Sequence, residues 1–192
     1  MRSKNKIMYL FVLIAAFFVF LSSGAAQEND RWHFNSDDAK FERKFGRTYN
    51  YNDIKVKRVI DGDTLLLESG DRVRLIGIDT PEIHESKKLY RDAERSKEDI
   101  KTIQEMGRRA MEFTKNVVEG KRVRLELDVE KHDQYNRILA YVYLVDSGIF
   151  VNAKIVEEGY ASVATYPPNV KYADEFVRLN REARENNRGL WK

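Results

Sequence analysis

The stretch DIKVKRVIDGDTLLLESGDRVRLIGIDTP, residues 53–81, decides the fold. Ile54, Val56 and the Val59-Ile60 pair alternate with Lys55, Lys57 and Arg58, the period-two pattern of a half-buried strand. A turn at Asp61-Gly62 leads into Thr64-Leu65-Leu66-Leu67, and Ser69-Gly70 offers a tight hairpin connection. The chain returns through Val73, Leu75, Ile76 and Ile78 until Pro81, which has no N–H to give a ladder. Three strands in an antiparallel meander are expected.

Downstream, residues 83–99 are almost wholly charged and show no apolar period, which predicts a long exposed loop or a frayed helix. Ile103, Met106, Ala110, Phe113 and Val117 then recur in steps of three and four, one stripe of a helix that Gly120 ends. Two more strands follow, one through Val123, Leu125 and Leu127 and one from Ile138 to Val145. A short helix runs from Val151 to Glu158 and stops at Gly159. A last helix puts Tyr172, Phe176, Leu179 and Ala183 on one face, with Leu190 and Trp191 free to pack back. An antiparallel sheet interrupted by a helix after its third strand predicts an α+β, mainly β domain over residues 53–192. Its architecture would be a five-stranded OB-type barrel with three helices.

Upstream, residues 1–6 carry the cations Arg2, Lys4 and Lys6 and no acid, and an apolar run from Ile7 to Leu21 leads into Ser22-Ser23-Gly24-Ala25-Ala26. Basic, apolar and small-residue regions in that order make residues 1–26 a secretory signal peptide, with cleavage expected after Ala26. The alternative is an uncleaved anchor, for which the run is short, since a membrane span needs about 20 residues. Residues 27–52 read as a polar N-terminal arm or linker that docks loosely or trails as a tail. Export without a single cysteine leaves no disulfide and no lipoprotein anchor, so stability rests on a packed core, helped by any bound metal. The sequence holds 34 Lys+Arg and 31 Asp+Glu; removing the three cations of residues 1–6 leaves 31 of each. Bulk charge therefore carries no argument for a nucleic-acid partner, which has to come from a site.

With Glu68 set opposite Asp71, Asp63 faces Ile76, Asp61 faces Ile78 and Ile60 faces Asp79. Asp61, Asp63 and Asp79 then gather at the open end of one hairpin, with Thr80 and Glu82 just beyond. Clustered carboxylates repel one another unless a cation sits among them. An all-oxygen set suits a hard divalent ion such as calcium or magnesium, and not zinc. Taken singly, Asp61-Gly-Asp-Thr64 is turn chemistry and Asp79-Thr-Pro-Glu82 is a strand end; their pairing by the hairpin favours the cation site. Arg74 lies mid-strand among apolar residues, where an unpaired guanidinium is expensive. It is either a structural ion pair with one of these acids or a planar donor set aimed at a phosphate. Arg137 follows the polar loop 131–136 and taken alone is a surface charge. His33, His84 and His132 lack metal-ligand spacing, and neither a Gly-rich phosphate loop nor a Gly-x-Ser-x-Gly elbow is present.

VIDGDT (Val59 to Thr64), RLIGIDTPE (Arg74 to Glu82) and DQYNR (Asp133 to Arg137), in this order, resemble the staphylococcal nuclease family. So do the Val151-Asn152-Ala153 helix start and the closing Arg188-Gly189-Leu190-Trp191, and the likeness extends from Ile54 to Trp191. The resemblance implies a calcium-dependent hydrolase of DNA and RNA phosphodiesters that leaves 5′-hydroxyl and 3′-phosphate ends. It makes Asp63 and Asp79 calcium-ligating carboxylates, adds the backbone carbonyl of Thr80, and leaves Asp61 near the metal without ligating it. Glu82 would be the general base, Arg74 and Arg137 the cations that hold the phosphate and neutralise charge growing on it. Tyr135 matches a phosphate-binding tyrosine, and Tyr166 is assigned to base stacking. The expected product is a secreted monomer with nucleic acid as substrate, no stable protein partner, and membrane contact only through the N-terminal segment.

Three departures accompany the likeness. Gln134 stands where the motif usually carries lysine, the 164–167 stretch is shorter than the family pattern, and the loop from Ile83 to Met106 is longer. From a different functional class, a non-catalytic OB-fold module that binds nucleic acid is the alternative. Such a module has no need for Asp63, Asp79, Glu82, Arg74 and Arg137 together.

Overall fold

A computed structural model of the chain describes residues 41–44 and 47–192. The expected signal segment 1–26 and residues 27–40, 45 and 46 of the expected arm lie outside the described residues. Within the arm, β1 (Phe41–Lys44) and β2 (Arg47–Asn50) pair as an antiparallel hairpin. Tyr51 is buried and takes part in the domain that follows, its hydroxyl donating to Asp71 at 2.7 Å and its carbonyl accepting from the N–H of Leu125.

Five strands close a barrel: β3 (Ile54–Asp61), β4 (Thr64–Leu67), β5 (Arg72–Leu75), β7 (Arg122–Glu126) and β8 (Ile138–Leu144). Their order around it is β3-β4-β5-β8-β7, and β5 meets β8 in parallel. The barrel and its helices match the expected class, mainly β and OB-like, and sequence alternation explains the interior. Ile54, Val56, Leu65, Leu67, Val73, Leu75, Val123, Leu125 and Val142 are all essentially inaccessible. In β3 the alternation slips at Lys57-Arg58, both exposed, and there the pairing with β4 jumps from Val56↔Leu67 to Arg58↔Leu66. A bulge absorbs the extra residue, so Val59 is again buried.

Two expectations about the meander change. The β4–β5 connection is the four residues Glu68 to Asp71, with Gly70 at φ +88°, and it sets Thr64 against Arg74 and Leu65 against Val73. The expected pairing was therefore off by one, and Leu75, not Ile76, lies across from Asp63, whose carbonyl accepts its N–H at 3.0 Å. The returning strand also does not run on to Pro81. It breaks at Gly77 (φ +81°), and β6 (Gly77–Asp79) leaves the barrel to pair with β9 (Ser162–Ala164). A Cβ on Gly77 would collide with the ring of Phe176, so this corner needs glycine both for its conformation and for its neighbour. Asp79 faces Ser162, not Ile60.

Among the described residues, four α-helices stand where three were expected. The charged segment 83–99 contains α1 (Lys87–Ser96), capped by Ser86, whose Oγ accepts from the N–H of Leu89 at 3.1 Å. α2 (Ile100–Val118) buries Ile103, Gly107, Ala110, Thr114 and Val118, a stripe turned one residue from the expected one. α3 (Val151–Glu157) and α4 (Ala173–Glu185) pack on each other, and Phe176 of α4 meets the rings of Tyr141 and Phe150. A 3₁₀ turn, Gly189–Trp191, ends the chain's last excursion, with the N–H of Leu190 on the carbonyl of Gly159. Among the described residues no helix is long and apolar enough to cross a membrane.

Candidate active site

The turn between β3 and β4 is Gly62-Asp63, flanked by Asp61 paired with Thr64. It is pinned from below by α2: Thr114 Oγ1 donates to the Gly62 carbonyl at 2.7 Å. A Cβ on Gly62 would stand 2.8 Å from the side chain of Thr80, so glycine here lets the 79–82 segment lie against the turn. Contact between the two segments then runs through Asp63. Its Oδ2 accepts from both the backbone N–H and the hydroxyl of Thr80 at 3.1 Å, and its Oδ1 accepts from Thr64 Oγ1 at 3.0 Å.

Arg74 ties this pair to the departing strand. Its Nη1 donates to the carbonyls of Leu75 and Ile78, each at 2.8 Å, bracing the corner at Gly77. Its Nη2 lies 2.9 Å from Asp79 Oδ1 and 3.1 Å from Asp63 Oδ2. Both readings that the sequence left open for Arg74 are therefore alive in one side chain: it pairs with two acids and its guanidinium lines the cleft. From the far side, the buried amide of Asn152 holds the same corner. It donates to the Ile76 carbonyl at 2.9 Å and accepts from the N–H of Val142 at 3.0 Å.

Lys88 completes the cluster, and the sequence reading missed it. From the first turn of α1 its Nζ reaches the Thr80 carbonyl at 2.9 Å, Glu82 Oε1 at 2.9 Å and Asp79 Oδ1 at 3.0 Å. The neighbouring Leu89, fully buried, anchors the helix that carries it. α2 supports the acceptor segment: Gln104 donates to the Ile83 carbonyl at 3.0 Å, and a Cβ on Gly107 would stand 2.7 Å from the Pro81 carbonyl.

The four carboxylates Asp61, Asp63, Asp79 and Glu82 thus share two cations, Arg74 and Lys88, and their ionisation differs accordingly. Burial alone would push Asp63 up, but the Arg74 guanidinium and the Thr80 N–H outweigh it and hold the carboxyl below its ordinary range. Among the described residues, Asp61 has no cation in contact and accepts only the N–H of Gly62, at 2.8 Å. Burial and the charge of Asp63 raise it to about 6. Burial also pushes Asp79 up, against the pull of Lys88 and Arg74. Burial disfavours the charge on Lys88, yet Asp79 and Glu82 hold it above the ordinary lysine value.

These groups line a cleft of about 570 Å³ that Tyr135 and Arg137 also line. Arg137 is drawn back onto its own loop, Nε to Asp133 Oδ2 at 2.6 Å, and lies 5.5 Å from the centre of the Tyr135 ring. Tyr135 is 72% exposed. Of the residues singled out from the sequence, Asp61, Asp63, Asp79, Glu82, Arg74, Tyr135 and Arg137 line this cleft, and Thr80 lies buried beneath it. Tyr166 does not. It projects, 74% exposed, over an adjoining groove with Arg91, Arg95 and Arg184, which meets the cleft at Asp79.

Asp63, Asp79 and the Thr80 carbonyl offer oxygen only, a donor chemistry that fits a hard cation such as calcium. Among the described residues, no three Asp, Glu, His or Cys side chains are disposed as they stand to hold a metal ion. Of these oxygens, Asp79 Oδ1 and the Thr80 carbonyl meet the Lys88 ammonium, while Asp63 Oδ2 and Asp79 Oδ1 meet the Arg74 guanidinium.

A closed five-stranded barrel with carboxylates and arginines facing one cleft at its rim defines a class of barrel hydrolase suited to an anionic ester. Comparison gives that class its family. Residues 72–192 match the family described as staphylococcal nuclease homologue. Over 140 residues the chain is 39% identical to the thermonuclease of Staphylococcus intermedius, covering 71% of this chain and 74% of that one. It is 31% identical to the thermonuclease of Staphylococcus hyicus over 82% of this chain and 86% of that one. It is 32% identical to the endonuclease YncB of Bacillus subtilis over 88% and 78%. The chain belongs to the staphylococcal nuclease family and is a nuclease, a hydrolase of phosphodiester bonds.

Proposed function

We propose that this nuclease is secreted, depends on calcium, and hydrolyses DNA and RNA to 5′-hydroxyl and 3′-phosphate ends. The observation that carries the proposal is the convergence of Asp63, Asp79, Glu82, Arg74 and Arg137 on one cleft, with Thr80 hydrogen-bonded to Asp63 and Lys88 beside them. A phosphodiester is an anion that repels nucleophiles, so its hydrolysis needs positive charge fixed in advance around the phosphoryl oxygens.

Asp63, Asp79 and the Thr80 carbonyl would hold calcium, with Asp61 beside them. When bound, the ion supplies positive charge to the phosphate and to the attacking water. Glu82 takes the proton from that water. Arg74, fixed by two carbonyls and two carboxylates, faces the phosphoryl group with its guanidinium already oriented, so little reorganisation accompanies reaction. Arg137 leaves Asp133 to meet the same oxygens, and the exposed hydroxyl of Tyr135 hydrogen-bonds the phosphate. Tyr166 stacks on a base of the strand beyond the cleft. The enzyme works as a monomer without a stable protein partner, and it reaches the outside through residues 1–26.

The test is cleavage of single-stranded DNA by the full-length chain in calcium and then in excess chelator. Cleavage that disappears on chelation and returns with calcium, with 5′ ends that accept phosphate from a polynucleotide kinase, is the expected result. A folded protein that binds DNA in calcium and leaves it intact would make the chain a binding module instead.

A further inference from the structure

Lys88 sits where a cation is most wanted and where its own helix least wants one. The first turn of a helix presents unsatisfied N–H groups and the positive end of the macrodipole, so acids are favoured there and lysines are not. α1 opens with Lys87 and Lys88 and has no acid in its first turn. Lys88 is offset by what it reaches. An ammonium has three N–H donors, and three oxygens meet it within 3.0 Å: the Thr80 carbonyl, Glu82 Oε1 and Asp79 Oδ1. Two of those, on Thr80 and Asp79, belong to the set proposed above for calcium, and the third is the proposed base. A divalent ion bound by the first two would stand within a few ångströms of a like charge, which in a partly buried cluster is strongly unfavourable.

We propose that Lys88 sets the cluster's affinity for a divalent cation. Its tethered ammonium is the resident counter-ion, a divalent ion binds only by displacing it, and the first turn of α1 moves or loosens when that happens. Calcium affinity is thus set by a competition inside the chain, and Glu82 is released from Lys88 only in the metal-bound state. This rests on the calcium reading of the site and adds to it that metal and α1 compete.

Calorimetric titration of calcium into the full-length chain and into its Lys88→Met and Lys88→Arg variants tests the competition. Losing the ammonium should tighten calcium binding about tenfold or more, roughly 1.4 kcal/mol per factor of ten, and Lys88→Arg should restore the weaker binding. Hydrogen exchange adds a second measurement. Calcium should lower protection of the amides at 87–91 in the native protein and leave those amides of Lys88→Met unchanged. Equal or weaker calcium binding by Lys88→Met would overturn the inference and leave the calcium reading standing. If neither native protein nor variants bind calcium, the calcium reading fails and the inference falls with it.

Discussion

Asp63, in the turn before β4, and Arg74 of β5 form an ion pair, Oδ2 to Nη2 at 3.1 Å, with the Asp63 side chain only 7% exposed. The pairing joins the acid that anchors Thr80 to the base that anchors Asp79, so one contact fixes both halves of the carboxylate cluster. It also makes Arg74 structural and functional at once.

Replacing Arg74 by Ala removes a phosphate-facing cation and leaves Asp63 buried without its main partner. The first loss should lower kcat on the order of 10²–10⁴-fold. The second should destabilise by about 3 kcal/mol, read as a shift in the urea midpoint. Arg74→Lys should recover part of the stability, because an ammonium can still pair with Asp63. It should recover little of the rate, because it cannot keep the fork that reaches the Leu75 and Ile78 carbonyls.

Glu82→Gln separates chemistry from architecture. The amide oxygen can still accept from Lys88, so the thermal midpoint should stay within a few degrees of the native one. Turnover should drop on the order of 10²–10⁴-fold for want of a base. Full activity in this variant would remove Glu82 from the reaction.

Asp61, raised to about 6 by burial and by Asp63, is a charge the fold disfavours. Because its folded value lies above the unfolded one, the folded state binds the proton more tightly. The protonated acid is accommodated without penalty below about pH 3.8, and the penalty grows as pH rises through 6. In metal-free buffer Asp61→Asn should therefore gain on the order of 2 kcal/mol at pH 7, after allowance for partial exposure. The gain over native should shrink to nothing by pH 4, as followed by urea unfolding across that range.

Gly62→Ala places a methyl group against Thr80. Overpacking of this kind costs about 1–3 kcal/mol. The displaced segment carries Asp79 and Glu82, so turnover should suffer as well. A crystal structure of the variant should show Thr80 moved off Asp63; an unmoved Thr80 would contradict the close fit described here.

The barrel was legible because strands such as β3 and β5 alternate over most of their length and its carboxylates lie beside turn residues, as in Asp61-Gly62-Asp63. What sequence could not supply was where a strand stops obeying its hairpin. Gly77 interrupts an apolar run, Leu75-Ile76-Gly77-Ile78, that looks continuous, and only the pairing of Ile78 with Val163, far along the chain, takes Asp79 out of the barrel. Asp79 was expected in the cluster through a register that set it opposite Ile60; it joins the cluster by another route, with Arg74 Nη2 2.9 Å from its Oδ1. The α2 stripe was displaced because its contact residues are small: Gly107 and Thr114 bring the helix against the site, and an apolar count passes over both. α1 was unreadable by periodicity because it buries one residue, Leu89, and is otherwise held by a serine cap and a charged contact. Arg137 and Tyr135 came from a motif alone, and the geometry adds that Asp133 holds the arginine.

The departure of β6 has a consequence for assembly. The last of the five barrel strands ends at Leu144, but Asp79 sits on a strand whose sheet partner is residues 162–164. Assembly of the barrel and assembly of the cluster are thus separate matters: the strand that carries Asp79 has its sheet partner in a segment that follows the last barrel strand, so the barrel's own pairing leaves Asp79 unplaced.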